Sequence, residues 1–393
     1  PSSTTSWLRI HPQGARVRPV LHTRICDLFG VRYPVVQTGM GWVSGARLTA
    51  ATSDAGGFGI LAAATMTLRQ LEEAIRSVKE RTGEPFGVNV RADQPDVDRV
   101  AELVIRSGVR LASFAGPPRR DLIQRFKDGG VLTMPTVGAP RHAEKMAEWG
   151  ADAVIAQGHE GGGHTGPIPT SILLPAVCDT VDIPVVGAGG FNSGRGLVAA
   201  LAYGASGIAM GTRFLLTKES TVPESVKAIY LRAKLTDTVV THSVDGDPQR
   251  VIRTPVIDRL ERASALTRFP RALMSALAFR KLTGTSLADL VKEGLAMRKS
   301  RELTWAQLAM AANAPMLTKA SMVDGRQEVG ILPAGQVVGL IEGLPSVREV
   351  IAGIVREAEE TLARLSGETV QTGTRSGSET VQADAAGAAR RER

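Results

Sequence analysis

The chain has 393 residues, 43% of them hydrophobic but only 4% aromatic, with 42 glycines and a net charge of +8. That is enough apolar material for a sizeable core, and small aliphatics with abundant glycine favour packed β/α layers over an aromatic-rich β-sandwich. No basic stripe interleaved with aromatics accompanies the positive charge, so no nucleic-acid partner is expected; a mildly basic surface or anionic ligands, phosphorylated or CoA-linked, account for it.

Residues 1–24 are rich in Ser, Thr, Pro, Arg and His and read as a loosely held arm without the apolar stretch of a signal peptide. From 25 to 235 one unit recurs: a short apolar run, then a longer stretch with helical spacing. The runs fall at 33–37, 57–61, 86–90, 109–113, 131–135, 153–157, 184–187 and 207–210. They suit parallel strands buried on both faces. Helical spacing is clear at 68–81, 97–107, 119–127, 141–149 and 194–203, and Gly83, Gly108, Gly129, Gly150 and Gly204 are placed to end helices.

Eight such repeats predict an α/β fold, a TIM (β/α)8 barrel. An open doubly wound sheet is the alternative, because strand order is invisible in a sequence. After the eighth run the pattern changes. Residues 236–344, with helices expected at 286–299 and 304–313, read as a helical lid over the barrel mouth. Residues 345–365 read as a closing amphipathic helix and 366–393 as a disordered tail. Cys26 and Cys178 are far apart and outside any CxxC pattern, which argues against both a disulfide framework and a zinc site. No run of about 18 apolar residues occurs, so no membrane span is expected and a cytoplasmic setting is.

Three loops carry the chemistry. The sixth run leads into Gln157-Gly158-His159-Glu160-Gly161-Gly162-Gly163-His164-Thr165-Gly166. Its glycines, Gly162 and Gly163 among them, allow backbone N–H groups to approach a ligand, and in a barrel this loop lies on the face where catalytic residues collect. His164, at the end of the glycine run, is the candidate general base. His159 is read as structural, and no HExxH spacing suggests a metal. The seventh and eighth runs lead to Gly189 and Gly190 and to Ala209-Met210-Gly211-Thr212. These are bare N–H groups and a hydroxyl suited to a phosphate monoester, or else simply tight turns. They match neither GxGxxG nor Walker A. Near the first and third runs, Met40, Gly41 and Asn89 suit the flat apolar face and polar edge of an isoalloxazine, although Met40 also suits a core gap and Asn89 a strand end.

Taken in order, Pro34 to Trp42, Phe86 to Asn89, Gln157 to Gly166, Gly187 to Gly190 and Met210 to Phe214 resemble the nitronate monooxygenase (2-nitropropane dioxygenase-like) flavoprotein family, which includes an FMN enoyl-acyl-carrier-protein reductase branch. The resemblance runs from about Ile25 to Ser366. It implies that Asn89, Gln157, Gly162, Gly190 and Ala209 to Thr212 bind FMN, that Gly189 joins the phosphate cup, and that His164 is the catalytic histidine. The family's Glu-Ala-Gly-Gly-His is Glu160-Gly161-Gly162-Gly163-His164 here, a less constrained loop.

Glu160 to Gly166, Gln37 to Trp42, Glu302-Leu303-Thr304-Trp305, Met310-Ala311-Ala312-Asn313 and Gly335-Gln336-Val337 look closer to an actinobacterial branch whose flavin enzyme dehydrogenates a hydroxyindane carboxyl-CoA derived from steroid rings C and D. The dehydrogenation this resemblance implies has an α-proton taken by His164, or by a base that His164 orients, and hydride transfer of the β-hydrogen to flavin, with electrons passing to NAD. It gives the lid's Arg298, Lys299 and Arg301 two readings, contact with CoA phosphates or a solvated face. Two further functions stay open: oxidation of alkyl nitronates with oxygen, and a flavin-binding barrel without turnover.

Overall fold

The computed structural model describes residues 20–262 and 313–367, together with the two-residue strands β1 (Arg9–Ile10) and β2 (Arg16–Val17), which pair antiparallel. The helix expected at 286–299, all but the last residue of the one expected at 304–313, the cations Arg298, Lys299 and Arg301, and all but the first two residues of the tail expected at 366–393 lie outside the described residues.

The barrel begins with β3 (Val35–Gln37), β4 (Phe58–Ala62), β5 (Phe86–Arg91), β6 (Leu111–Ala115), β7 (Leu132–Val137) and β8 (Val154–Gln157). Past the short outlying β9 (Gly163–His164), it is completed by β10 (Val185–Ala188) and β11 (Gly207–Met210). All eight barrel strands are parallel, and β11 returns to pair with β3, so the sheet closes and the open-sheet alternative is excluded. Each of the eight apolar runs overlaps one barrel strand. The strands are buried on nearly every residue, as expected for a sheet with side chains packed inside and helices outside.

The chain enters through α1 (Arg24–Phe29), which plugs the N-terminal end of the barrel. Phe29 stacks at 4.7 Å on Phe58 at the start of β4. A Cβ on Gly207, at the start of β11, would come within 2.6 Å of Ile25. These side chains join Val36, Ile60, Leu111, Met134, Ile155 and Val186 in the interior cluster. Leu21, within the stretch read as an arm, is also buried. With that end closed, the open mouth lies at the C-terminal ends of the strands.

The helices α2 (Ala46–Asp54), α3 (Leu68–Arg81), α4 (Val97–Arg106), α5 (Arg120–Asp128), α6 (Pro140–Glu148), α7 (Thr170–Cys178) and α8 (Gly194–Ala202) wrap the outside. Gly108, Gly150 and Gly204 take the left-handed conformation expected past a helix end. Gly83 does not, because α3 leaves directly through extended Thr82, and after α5 the left-handed residue is Gly130 rather than Gly129.

Beyond β11 come α9 (Thr212–Leu215) and α10 (Glu224–Arg232). The segment read as a helical lid opens instead with an antiparallel hairpin, β12 (Thr238–Thr241) and β13 (Gln249–Ile252), whose β-branched residues favour strand. It continues with α11 (Pro255–Arg262) and, further along, α12 (Asn313–Met322). The final helix, α13 (Val347–Ser366), starts on a capping box formed by Ser346 and Glu349 and lies against α8 and α2, filling the gap in the helical ring. Gly194 makes that approach possible: a Cβ there would sit 2.3 Å from the Ala358 nitrogen. The Glu357 carboxylate accepts from the Gly194 N–H at 2.7 Å and from Arg195 Nε at 2.8 Å, tying α13 to the start of α8. No described helix is long and apolar enough to cross a membrane.

Truncating the plug tests this arrangement. Phe29→Ala is expected to lower unfolding free energy by about 3–5 kcal/mol in urea denaturation, whereas Leu365→Ala on the exposed face of α13 should change it by less than about 0.5 kcal/mol.

Candidate active site at the barrel mouth

The loop after β8 folds onto its own strand. Gln157 Nε2 donates to the His164 carbonyl at 2.6 Å, Gly158 N donates to Ala188 O at 2.9 Å, and the Thr165 hydroxyl reaches Gly158 O at 3.0 Å. His159 closes the loop from inside: its N–H donates to Ile168 O and its Nδ1 donates to Gly166 O, both at 2.8 Å. These bonds support a structural role for His159. Glu160 accepts from the backbone and hydroxyl of Thr170 at 2.9 and 2.8 Å, so it caps the start of α7.

Gly162 has no room for a side chain. A Cβ there would lie 2.5 Å from Gly335 N and 2.6 Å from the Ala334 carbonyl carbon. The chain at 334–336 crosses the mouth at this point. Gln336 N donates to Glu160 O at 3.0 Å, and Gly335 N donates to the Thr212 hydroxyl at 3.0 Å, bridging the loops after β8 and β11.

His164 sits in β9, which pairs antiparallel with β13, Gln249 opposite His164 and Arg250 opposite Gly163. Its Nε2 is 2.8 Å from Asp245 Oδ2; the histidine side chain is 61% exposed and the aspartate only 8%. Gln249 Nε2 donates to the same carboxylate oxygen. Arg250 is buried behind this pair, donating to His159 O at 3.1 Å and to the Thr238 hydroxyl at 3.0 Å. Burial pushes its guanidinium pKa down, and the Glu160 charge opposes that shift.

Beside this loop, at the end of the neighbouring strand β10, Gly189 and Gly190 take φ of +92° and +82°. Gly211 lies against the first loop: a Cβ there would be 3.3 Å from Met40 Sδ and from the Thr38 hydroxyl. The following Arg213 is buried and donates to Leu216 O and Gly343 O, and desolvation lowers its pKa to about 10. In the first loop, fully buried Gln37 donates to Ser44 Oγ at 2.9 Å and to Ile60 O at 3.1 Å, while its Oε1 is buried without a partner. Trp42 has φ of +66°, a conformation a bulky side chain seldom adopts, and its indole donates to Pro315 O of α12 at 3.0 Å. The Asn89 side chain packs over Gly39 and donates to Ser113 Oγ at 2.9 Å.

The structure therefore places Met40, Gly41, Asn89, Gln157, Gly162, Gly163, His164, Gly189, Gly190 and Ala209 to Thr212 in the C-terminal halves of barrel strands or in the segments directly beyond them, on one face of the barrel. Sequence reasoning gave no role to Asp245, Gln249 or Gly335. The turn residues Asp245-Gly246-Asp247-Pro248 between two β-branched runs do signal a hairpin.

The nitronate monooxygenase family model matches residues 22–102 and 94–357, so the chain belongs to that family. It is an enzyme, a flavin-dependent oxidoreductase. It is 56% identical over 338 residues to the (3aS,4S,5R,7aS)-5-hydroxy-7a-methyl-1-oxo-octahydro-1H-indene-4-carboxyl-CoA dehydrogenase of Rhodococcus jostii (strain RHA1), covering 86% of this chain and 96% of the relative. It is 55% identical over 341 residues to the protein of the same name from Mycobacterium tuberculosis, again 86% and 96%. Among solved structures, FabK from Thermotoga maritima superposes with a TM-score of 0.72 at 33% identity, covering 88% of this chain and 98% of FabK.

The crowding at Gly162 gives a direct test. Gly162→Ala should cost about 1–3 kcal/mol of local packing. The expected readout is flavin retention weakened about 10- to 100-fold, measured by fluorescence of flavin released on dilution.

Proposed function

We propose that this chain is an FMN-dependent dehydrogenase of a hydroxyindane carboxyl-CoA thioester, acting in steroid catabolism and introducing a double bond beside the thioester. The observation that carries the reading is the 55–56% identity to two dehydrogenases of that substrate over 96% of their length.

The residues at the mouth fit FMN. Gly189 and Gly190 take left-handed backbone conformations, and their N–H groups, with that of Gly211 and the Thr212 hydroxyl that accepts from Gly335 N, would make a set suited to a phosphate. Met40, Gly41 and Asn89 would line the ring, with Gln157, Gly162 and Gly163 on the opposite loop. The orphaned Gln37 Oε1 supplies a buried acceptor beside the first loop. FMN, when bound, supplies a two-electron acceptor for hydride.

His164 has the protein's part in the chemistry. The thioester carbonyl acidifies the adjacent C–H bond, and an imidazole held at the mouth takes that proton while the β-hydrogen leaves as hydride. NAD as the final electron acceptor and a cytoplasmic setting belong to the same reading. The family's name supports the second reading, in which a nitronate is oxidised with oxygen.

Mass spectrometry of the CoA ester after anaerobic incubation with enzyme and NAD tests the proposal. The expected product is two hydrogens lighter. His164→Ala should retain FMN and lose about 100- to 10,000-fold in turnover. An unchanged ester, with rapid oxygen uptake on propionate 3-nitronate, would establish the monooxygenase reading instead.

A further inference from the structure

The neighbours of His164 come from outside the barrel. The hairpin of β12 and β13 lays Gln249 opposite His164 and turns Asp245 back toward the ring, at 2.8 Å from Nε2. Asp245 is nearly removed from water, and a carboxylate in that position needs donors. It has three: His164, the Gln249 amide, and the Asp247 backbone N–H at 3.2 Å on its other oxygen. An exposed ion pair formed by chance does not surround its acid in this way.

The geometry sets the Nε2 side of the ring against the acid, at 2.8 Å. An ionised carboxylate only accepts, so the neutral ring that bonds to it holds hydrogen on Nε2 and a lone pair on Nδ1. Gln249 Nε2 is 3.0 Å from His164 Nε2. Both nitrogens converge on Asp245 Oδ2 as donors, and turning the amide to face His164 with its oxygen would cost its bond to the acid.

We infer that Asp245, braced by Gln249, is the positioning residue for His164, holding the imidazole with its proton on Nε2 so that Nδ1 is the atom that takes the substrate's α-proton. The inference rests on His164 being the base of the proposed dehydrogenation. In that step the α C–H bond breaks and an N–H bond forms at Nδ1. The electron pair left on carbon becomes the new C=C bond as the β-hydrogen departs as hydride to oxidised flavin. The imidazolium then lies against the Asp245 carboxylate, which offsets its charge.

Among the described residues, Arg250, Glu160, His159 and His242 on the surrounding elements are engaged elsewhere. Arg250 is turned to His159 O and Thr238, and Glu160 caps α7. His159 bonds Gly166 O, and His242 lies 3.2 Å from Gly246 O. Asp247 follows Asp245 in the same turn.

The test uses the flavin-loaded full chain and its Asp245→Ala, Asp245→Glu and His164→Ala variants, the last to assign the imidazole resonances. Nitrogen-15 NMR of the wild type is expected to show His164 with its proton on Nε2 as a downfield, hydrogen-bonded resonance. Asp245→Ala should lose that resonance and lose about 10- to 100-fold in kcat, with KM within about twofold. Asp245→Glu should recover part of both. A wild-type ring protonated on Nδ1 would overturn the inference, even if the variants fail to fold. So would an Asp245→Ala protein with the resonance intact and kcat unchanged. If the wild type leaves the CoA ester untouched, the proposed function fails, while the NMR signature still judges the role of Asp245.

Discussion

Two rungs of antiparallel pairing, Gly163 with Arg250 and His164 with Gln249, fasten the loop after β8 to a hairpin about eighty residues further along. Closing so long a loop costs entropy that grows only slowly with its length, and a run of further bonds offsets it. Thr165 N donates to Pro248 O, Ala334 N to Arg250 O, and Gln336 N back to Glu160 O. The hydrogen bonds thus pass from the site loop through the hairpin to the crossing chain at 334–336 and return to the same loop. At the centre of this circuit Gly162 touches Gly335, where even a methyl group has no space. The placement of His164 depends on these contacts more than on the barrel strand that precedes it.

The barrel supplies the frame. Its lower end is packed shut by Ile25 and Phe29, and α13 fills the helical ring between α8 and α2 through the bare backbone of Gly194. Two buried guanidiniums near the mouth, Arg213 and Arg250, donate to backbone carbonyls and so pin the chain after β11 and the loop around His159. Such groups cost desolvation, which these bonds offset in part, since Arg213 Nε stays buried without a partner. At a pKa of about 10, Arg213 still carries its charge at neutral pH.

Much of this was readable in the sequence. Eight buried parallel strands leave continuous apolar runs, and the glycine loops after the sixth to eighth lie on the face at the strands' C-terminal ends. What escaped has physical causes. Helix α2 buries Leu48 beside the small residues Thr49, Ala50, Thr52 and Ser53, with weak amphipathic contrast. They are small because β4 approaches closely: a Cβ on Gly59 would meet Thr49 O at 2.2 Å. The hairpin is visible as β-branched runs around a turn, but its third strand is only Gly163 and His164, two residues without strand propensity. Tertiary pairing makes them a strand. Asp245 was therefore invisible as a partner of His164, because nothing local in either segment names the other. Glu160 and His159, conspicuous in the same loop, hold its shape.

The most direct test of the account is the visible spectrum of the purified, flavin-loaded protein under anaerobic conditions, recorded before and after adding the hydroxyindane carboxyl-CoA. The account predicts that the oxidised flavin bands bleach with the ester alone. Bands that persist with the ester but bleach with an alkyl nitronate would contradict it.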